Sequence, residues 1–260
     1  MGGLVTSTDS GLAVPDWPLS YGGLFPPMVG GIRFEHSHRL VASTVGLLTL
    51  ILTVWIGITE KQKSIRWLAI ACLGAVVLQG ILGGLTVLYL LPVPISVAHA
   101  CLGPIFFSLT ASLCTLLSPG YKSEVTKEPA SLSKNSRLTA AAVFFQILLG
   151  AVVRHTGRWI WLHIIWAFAV FILTALLIIR VLSESGDGKP VLRLALFLGF
   201  LVTAEFFLGI GAFVFTQIKA VQPGLASILF PTIHQTLGAL ILATMVVLTL
   251  RAGNAKVAVV

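Results

Sequence analysis

The sequence predicts an all-α polytopic membrane protein, and three observations carry that prediction. Of 260 residues, 57% are hydrophobic and 10% charged, where a soluble domain carries about 25% charged residues; the mean hydropathy is +0.99. Seven apolar runs are each long enough to cross a hydrocarbon core of about 30 Å at about 1.5 Å per residue. The lysines and arginines fall in the connections between these runs, where orientation signals sit. The net charge of +8 therefore belongs to the loops of a lipid-embedded body. Membrane lipid is the partner it implies, and nucleic acid is not.

Taken in order, residues 1–33 read as an ordered loop without helical pattern. Pro15-Asp16-Trp17-Pro18, Gly22-Gly23 and Pro26-Pro27 punctuate it. It has no basic n-region followed by an apolar stretch and cleavage site, so it is not read as a signal peptide. The spans are expected near 35–58, 65–89, 95–117, 137–154, 159–182, 192–216 and 227–250. Lys61, Lys63, Arg66, Lys122, Lys127, Lys134, Arg137, Arg180, Lys189, Arg193, Arg251 and Lys256 lie on one side. Arg33, Arg39, Arg154, Arg158 and Lys219 lie on the other, a split of 12 against 5. The richer side is expected to be cytoplasmic, with the C-terminus inside and residues 1–33 outside.

A short motif recurs. Gly2-Gly3-Leu4-Val5, Gly83-Gly84-Leu85-Thr86, Gly150-Ala151-Val152-Val153 and Gly211-Ala212-Phe213-Val214 all read glycine, small, apolar, β-branched. Three of them end an apolar run on the outer side, and each precedes a run carrying a histidine near its outer end. Gln79 and Gln146 each sit four residues before the glycine. Small residues let helix backbones approach closely, which explains one copy better than four in register with four histidines. The first copy lacks its helix. A helix ending near Gly2–Val5 would be the eighth, so the chain is expected to be missing the first helix of the set.

His38, His99, His163 and His234 each lie within about two turns of a predicted outer helix start. A lone histidine on an apolar helix is usually a hydrogen-bonded core residue. Four at matching depth in an antiparallel bundle point to two facing imidazole pairs, the bis-histidine arrangement that holds haem. Zinc competes, but it favours a tetrahedral shell of closely spaced ligands, and no HxxxH or Cys/His cluster occurs. His36 would point about 200° away from His38 on a helix, and His155 falls in a loop beside Arg154; both are read as interfacial polar residues. Glu35, His38 and Arg39 share one helix face by their i,i+3 and i,i+4 spacing. Ionisable groups at a membrane helix are costly and so are functional candidates. Glu205 sits alone inside an apolar run, where a neutral hydrogen-bonded carboxyl is the plainer reading. The outer basic residues Arg33, Arg39, Arg154, Arg158 and Lys219 suit haem carboxylates or lipid headgroups alike. Cys72, Cys101 and Cys114 read as buried small hydrophobes. Trp55, Trp67 and Trp159 sit near run ends, as in an aromatic belt.

Three stretches together resemble the haem A synthase family, the membrane enzymes that mature haem for aa3-type cytochrome oxidases. They are Gly2-Gly3-Leu4-Val5-Thr6-Ser7-Thr8-Asp9-Ser10-Gly11-Leu12 running on to Pro15-Asp16-Trp17-Pro18, then Glu35-x-x-His38-Arg39, and Gly150-Ala151-Val152-Val153-Arg154-His155-Thr156-Gly157. The resemblance implies eight helices in two pseudo-symmetric four-helix halves, and oxidation of the C8 methyl of haem O to a formyl group with a bound haem B as cofactor. It further implies that His38 and His99 flank the substrate haem, that Glu35 is the acid/base or radical-handling carboxylate, and that His163 and His234 ligate haem B. Some members carry a cysteine pair in the first outer loop. Here Leu12 to Ser20 contains none, which excludes a disulfide-dependent step there. The loop after Gly157 is also short.

The residues argue for unequal roles on their own account. Glu35, His36 and Arg39 surround His38 in sequence, after a long Pro/Gly-rich loop. Mainly apolar residues surround His163 and His234, with Trp161, Trp166, Thr232 and Gln235. A site that oxidises a methyl group needs a titratable group within reach; a retained haem needs two imidazoles in a dry pocket. The expected organisation is a substrate-haem half over residues 1–117, with Arg39 beside His38 and His99, a cytoplasmic linker over 118–136 and a cofactor half over 137–260. The expected partners are haem O, an electron donor, a haem O synthase and a second copy of the chain. The expected location is a bacterial plasma membrane with the haem sites towards the outer face. The competing reading is a bis-histidine b-haem protein exchanging electrons with quinol, against which the carboxylate at Glu35 weighs. A small-molecule transporter ranks last, because the polar residues gather at the outer end rather than the midplane.

Overall fold

The computed structural model describes residues 1–123, 130–184, 190–218 and 224–253. Lys127, Lys189, Lys219 and Lys256, which entered the charge split, lie outside the described residues, as do residues 124–129 of the expected linker.

The elements are α1 Gly2–Ser7, α2 Ile32–Thr59, α3 Lys63–Leu88, α4 Val93–Leu117, α5 Pro119–Ser123, α6 Ala130–Thr156, α7 Ile160–Glu184, α8 Pro190–Gln217 and α9 Leu225–Gly253. Seven of them (α2, α3, α4, α6, α7, α8 and α9) are long and apolar enough to cross a membrane. This is the all-α polytopic membrane protein that the hydropathy predicts. Backbone polar groups in hydrocarbon must be satisfied within the segment, and a helix does that. Leu47, Leu48, Trp55, Trp67, Phe200 and Phe207 face outward, as lipid-facing side chains do.

Two boundaries differ from expectation. Residues 2–7 form a helical turn and a half where a loop was expected. Gly3 lets that turn press against Thr232 and Gln235 of α9, so tertiary packing supplies what local pattern does not. Helix α6 starts seven residues before the expected Arg137, at Ala130. Its polar first turns are tied down by Leu132, which is fully buried in the core.

Helices α6 to α9 close into a ring, each packing on the next and α9 returning to α6. Helices α2, α3 and α4 pack in sequence, α4 leans on α6 and α9, and α1 bridges α2 and α9. The dense packing lies at one end. Leu177, Val181, Ala195, Leu198, Met245 and Leu248 make one core, and Ile56, Ile65, Ala69, Cys72 and Leu113 make another. Both gather towards the starts of α3, α6 and α8 and the ends of α2, α4, α7 and α9. The four histidines of interest sit at the opposite end.

Candidate functional site

The antiparallel course of the helices brings the starts of α2, α4, α7 and α9 to that loosely packed end. His38 of α2 and His99 of α4 face each other with ring centres 6.4 Å apart and planes 83° apart. His163 of α7 and His234 of α9 do the same at 6.2 Å and 88°.

Each ring rests on a glycine of the preceding helix. A Cβ at Gly83 would stand 3.2 Å from Cε1 of His99, and one at Gly150 would stand 3.1 Å from Cε1 of His163. A Cβ at Gly2 would stand 3.5 Å from Cε1 of His38. The recurring glycine is thus a seat for an imidazole. The fourth copy needs correction: His234 sits on Gly209, where a Cβ would approach Cε1 to 3.1 Å, and Gly211 instead receives the ring of Phe230. The spacing to the preceding polar residue identifies the right glycine. Gln79 lies four before Gly83, Gln146 four before Gly150, and Glu205 four before Gly209. One helical turn separates each pair, so both members reach the same histidine.

These polar residues do reach it. Gln79 Nε2 donates to the backbone carbonyl of His99 at 3.0 Å, and Gln146 Nε2 donates to that of His163 at 3.1 Å, with a longer approach of 3.4 Å to His163 Nε2. Glu205 has no N–H to give. Its Oε1 stands 3.2 Å from Nδ1 of His234, close enough for attraction but not aligned as a hydrogen bond, since Nδ1 makes none.

Around His38 the outer loop is latched to α2. Val14 N–H donates to Glu35 Oε2 at 2.8 Å, and Arg39 donates to Glu35 Oε1 at 2.5 Å. The same guanidinium donates to the carbonyls of Asp16, Leu19 and Val14 at 2.6, 2.5 and 3.1 Å. Ser20 Oγ and His36 Nδ1 share a hydrogen bond of 2.9 Å, and His36 is buried under the loop. Trp17 lies on α3 at Gly84, where a Cβ would come within 2.7 Å of the indole. Glu35 and Arg39 thus stand beside the first pair, yet every hydrogen bond recorded for them runs to the loop or to each other.

The other expected residues are placed as follows. His155 lies in the last turn of α6, not in a loop, because the turn closes only when Gly157, at φ +67°, donates to Val153 O. Arg154 donates to Ser7 Oγ at 2.6 Å, and Ser7 in turn bonds Thr232 Oγ1 at 2.9 Å, so Arg154 and Thr232 dock α1. Arg33 stacks over Phe34 at 4.8 Å, and Arg158 is exposed. Trp161 faces outward, while Trp166 donates to Ala142 O at 2.9 Å deeper in α6. Cys72 and Cys101 are buried as expected; Cys114 is exposed on the outer face of α4.

The two histidine pairs suit an iron held between imidazoles. A first-row metal bound at about 2 Å by two such nitrogens holds the ring centres about 6 Å apart, which is the spacing of both pairs. Among the described residues, no group of three or more His, Cys, Asp or Glu side chains is placed to hold a metal ion; each pair offers two facing imidazoles, the donor number that a haem iron takes from its protein. The buried polar atoms lacking partners also gather here: Gln79 Oε1, His99 Nδ1, Gln146 Oε1, His163 Nδ1 and Glu205 Oε2. Unsatisfied buried groups are rare in folded proteins and call for an explanation. A polar-edged ligand seated between these helices supplies one.

Residues 32–160 match the family model COX15-CtaA, described as cytochrome oxidase assembly protein. Several curated relatives named heme A synthase are similar. The protein of an Exiguobacterium species is 32% identical over 60% of this chain and 53% of its own length. That of Bacillus licheniformis is 31% identical over 60% and 53%, and that of Symbiobacterium thermophilum 29% identical over 60% and 54%. The chain therefore spans about half the length of the curated relatives it matches.

Proposed function

We propose that this chain is a member of the COX15-CtaA family of cytochrome oxidase assembly proteins and a haem A synthase that oxidises the C8 methyl of haem O to a formyl group. The observation that carries the reading is the pair of perpendicular imidazole couples, each ring seated on a glycine one helix back. The name shared by the curated relatives supports the synthase over a quinol-linked electron-transfer protein.

In this reading His38 and His99 hold the substrate haem O, and His163 and His234 hold haem B as the resident cofactor. Haem B, when bound, supplies one-electron transfer at its iron. Turning a methyl into a formyl group breaks C–H bonds and so moves protons, and a titratable side chain is needed within reach. Glu35 takes that role: it lies one turn from His38, and the Val14 amide and the Arg39 guanidinium orient its two oxygens. Arg39 holds the outer loop over the substrate and offers charge for its carboxylates. Gln79 and Gln146 fix the backbone at His99 and His163.

Residues 1–117 then form the substrate half, 118–136 a cytoplasmic linker and 137–260 the cofactor half. The protein lies in a bacterial plasma membrane with both haem sites towards the outer face and its C-terminus in the cytoplasm. A haem O synthase delivers the substrate, a membrane electron donor completes the cycle, and a second copy of the chain is the candidate oligomeric partner.

The test is to express the chain in cells that make haem O but no haem A, then extract and identify the haems. Haem A in the cells and haem B in the purified protein are expected. Haem O persisting unchanged would overturn the synthase reading.

A further inference from the structure

At three of the four histidine seats, the residue one turn before the glycine is visible, and it is not the same each time. Gln79 and Gln146 are neutral amides that spend their N–H on a histidine's backbone carbonyl. The third is Glu205, whose carboxylate turns to the imidazole itself, 3.2 Å from His234 Nδ1. Room for it comes from Gly238, one turn after His234 on α9. A Cβ there would stand 3.1 Å from Glu205 Oε1. Glu205 Oε2 is buried without a partner, so no second group competes for this carboxylate among the described residues.

We infer that Glu205 is a positioning and tuning residue for His234, holding its Nδ1 as the protonated nitrogen and making it more electron-rich than the imidazoles seated beside Gln79 and Gln146. A carboxylate facing Nδ1–H leaves Nε2 as the lone-pair nitrogen that a metal needs, and it raises the basicity of that nitrogen. A stronger donor with a nearby negative charge favours the more positive, oxidised state of the bound metal. Glu205 therefore makes the second-half haem more reducing than an amide at the same seat would. Gln79 and Gln146 give no such bias, because an amide carries no charge. The inference rests on the proposed ligation of haem B by His163 and His234.

The experiment is a redox titration of the b-type absorption in purified full-length protein. The Glu205→Gln variant is isosteric and installs the residue already present at the two sister seats. It is expected to keep a bis-histidine spectrum while its reduction equilibrium shifts towards the reduced form by about tenfold, which is 59 mV for one electron. Glu205→Asp, which keeps the charge but draws it back, is expected to shift less. Loss of haem from Glu205→Gln but not from Glu205→Asp also supports the inference, since charge rather than bulk then holds His234. An unchanged potential in Glu205→Gln, or loss of haem from both variants alike, overturns it. His234→Ala separates the two levels: b-haem surviving that change breaks the proposed ligation and this inference with it, whereas b-haem lost there with an unmoved potential in Glu205→Gln breaks this inference alone.

Discussion

The two histidine pairs have nearly the same internal geometry and very different covers. The first, His38 with His99, is roofed by an irregular loop tied to α2 by Glu35, His36 and Arg39. The second, His163 with His234, sits inside the closed ring of α6 to α9. The α6–α7 connection beside it is the tight turn Gly157-Arg158-Trp159. A loop held by a handful of hydrogen bonds can open without unfolding the helices beneath it, whereas a ring packed through a common core opens only at close to the global cost. Under the proposed assignment, this difference in cover would make the first seat the exchangeable site and the second the permanent one.

The largest effect should come from breaking the pairs themselves. His163→Ala or His234→Ala is expected to abolish the b-type absorption of the purified protein, while His38→Ala and His99→Ala leave it in place and stop haem A formation. Retention of b-haem after loss of both His163 and His234 would reverse the assignment. Glu35→Ala comes next. Losing a positioned acid/base group should lower turnover about 10²- to 10⁴-fold, with haem O or a hydroxylated product accumulating in extracts and the b-spectrum unchanged. Normal haem A production by that variant would remove Glu35 from the chemistry.

The seats offer a finer contrast. A methyl at Gly150 must push His163 aside, since the gap is 3.1 Å, whereas one at Gly2 meets His38 at an ordinary 3.5 Å. Gly150→Ala should therefore cost about 1–3 kcal/mol, the range for overpacking a core, seen as a lower thermal midpoint and weaker haem retention. Gly2→Ala should resemble the unaltered protein in both measurements. Equal effects of the two would mean that the glycines serve helix packing in general.

The smallest effect lies in the loop. The Gly22 amide, then that of Tyr21, donates to the exposed Asp16 carboxylate and holds its pKa below the usual value. A depressed carboxylate contributes order above its unfolded pKa and loses it as pH falls through the folded value. Loop protection against proteolysis should therefore weaken only below about pH 4, and Asp16→Asn should erase that dependence. A protease profile whose acid dependence survives Asp16→Asn would assign the loop's acid sensitivity elsewhere.

Much of this was legible beforehand. The seven spans are set by hydropathy, which is a property of composition over a window and needs no partner. The four histidines and three of their glycines could be read because helix geometry converts sequence spacing into depth. Glu205 could have been read too. Aligning the fourth copy on Gln79 and Gln146, rather than on the glycine-small pair, selects Gly209 and puts Glu205 at the seat.

Sequence by itself determined the class, the spans and the residues that stand at one end of the bundle, because those follow from local periodicity and transfer energies. Tertiary structure alone decided who meets whom. The α1 turn forms because Gly3 meets α9, and Arg39 is committed to loop carbonyls more than twenty residues away in some cases. Glu205 meets an imidazole while the two glutamines in register with it meet carbonyls. Such pairings depend on the rotation of one helix against another, and the packing of facing side chains sets that rotation.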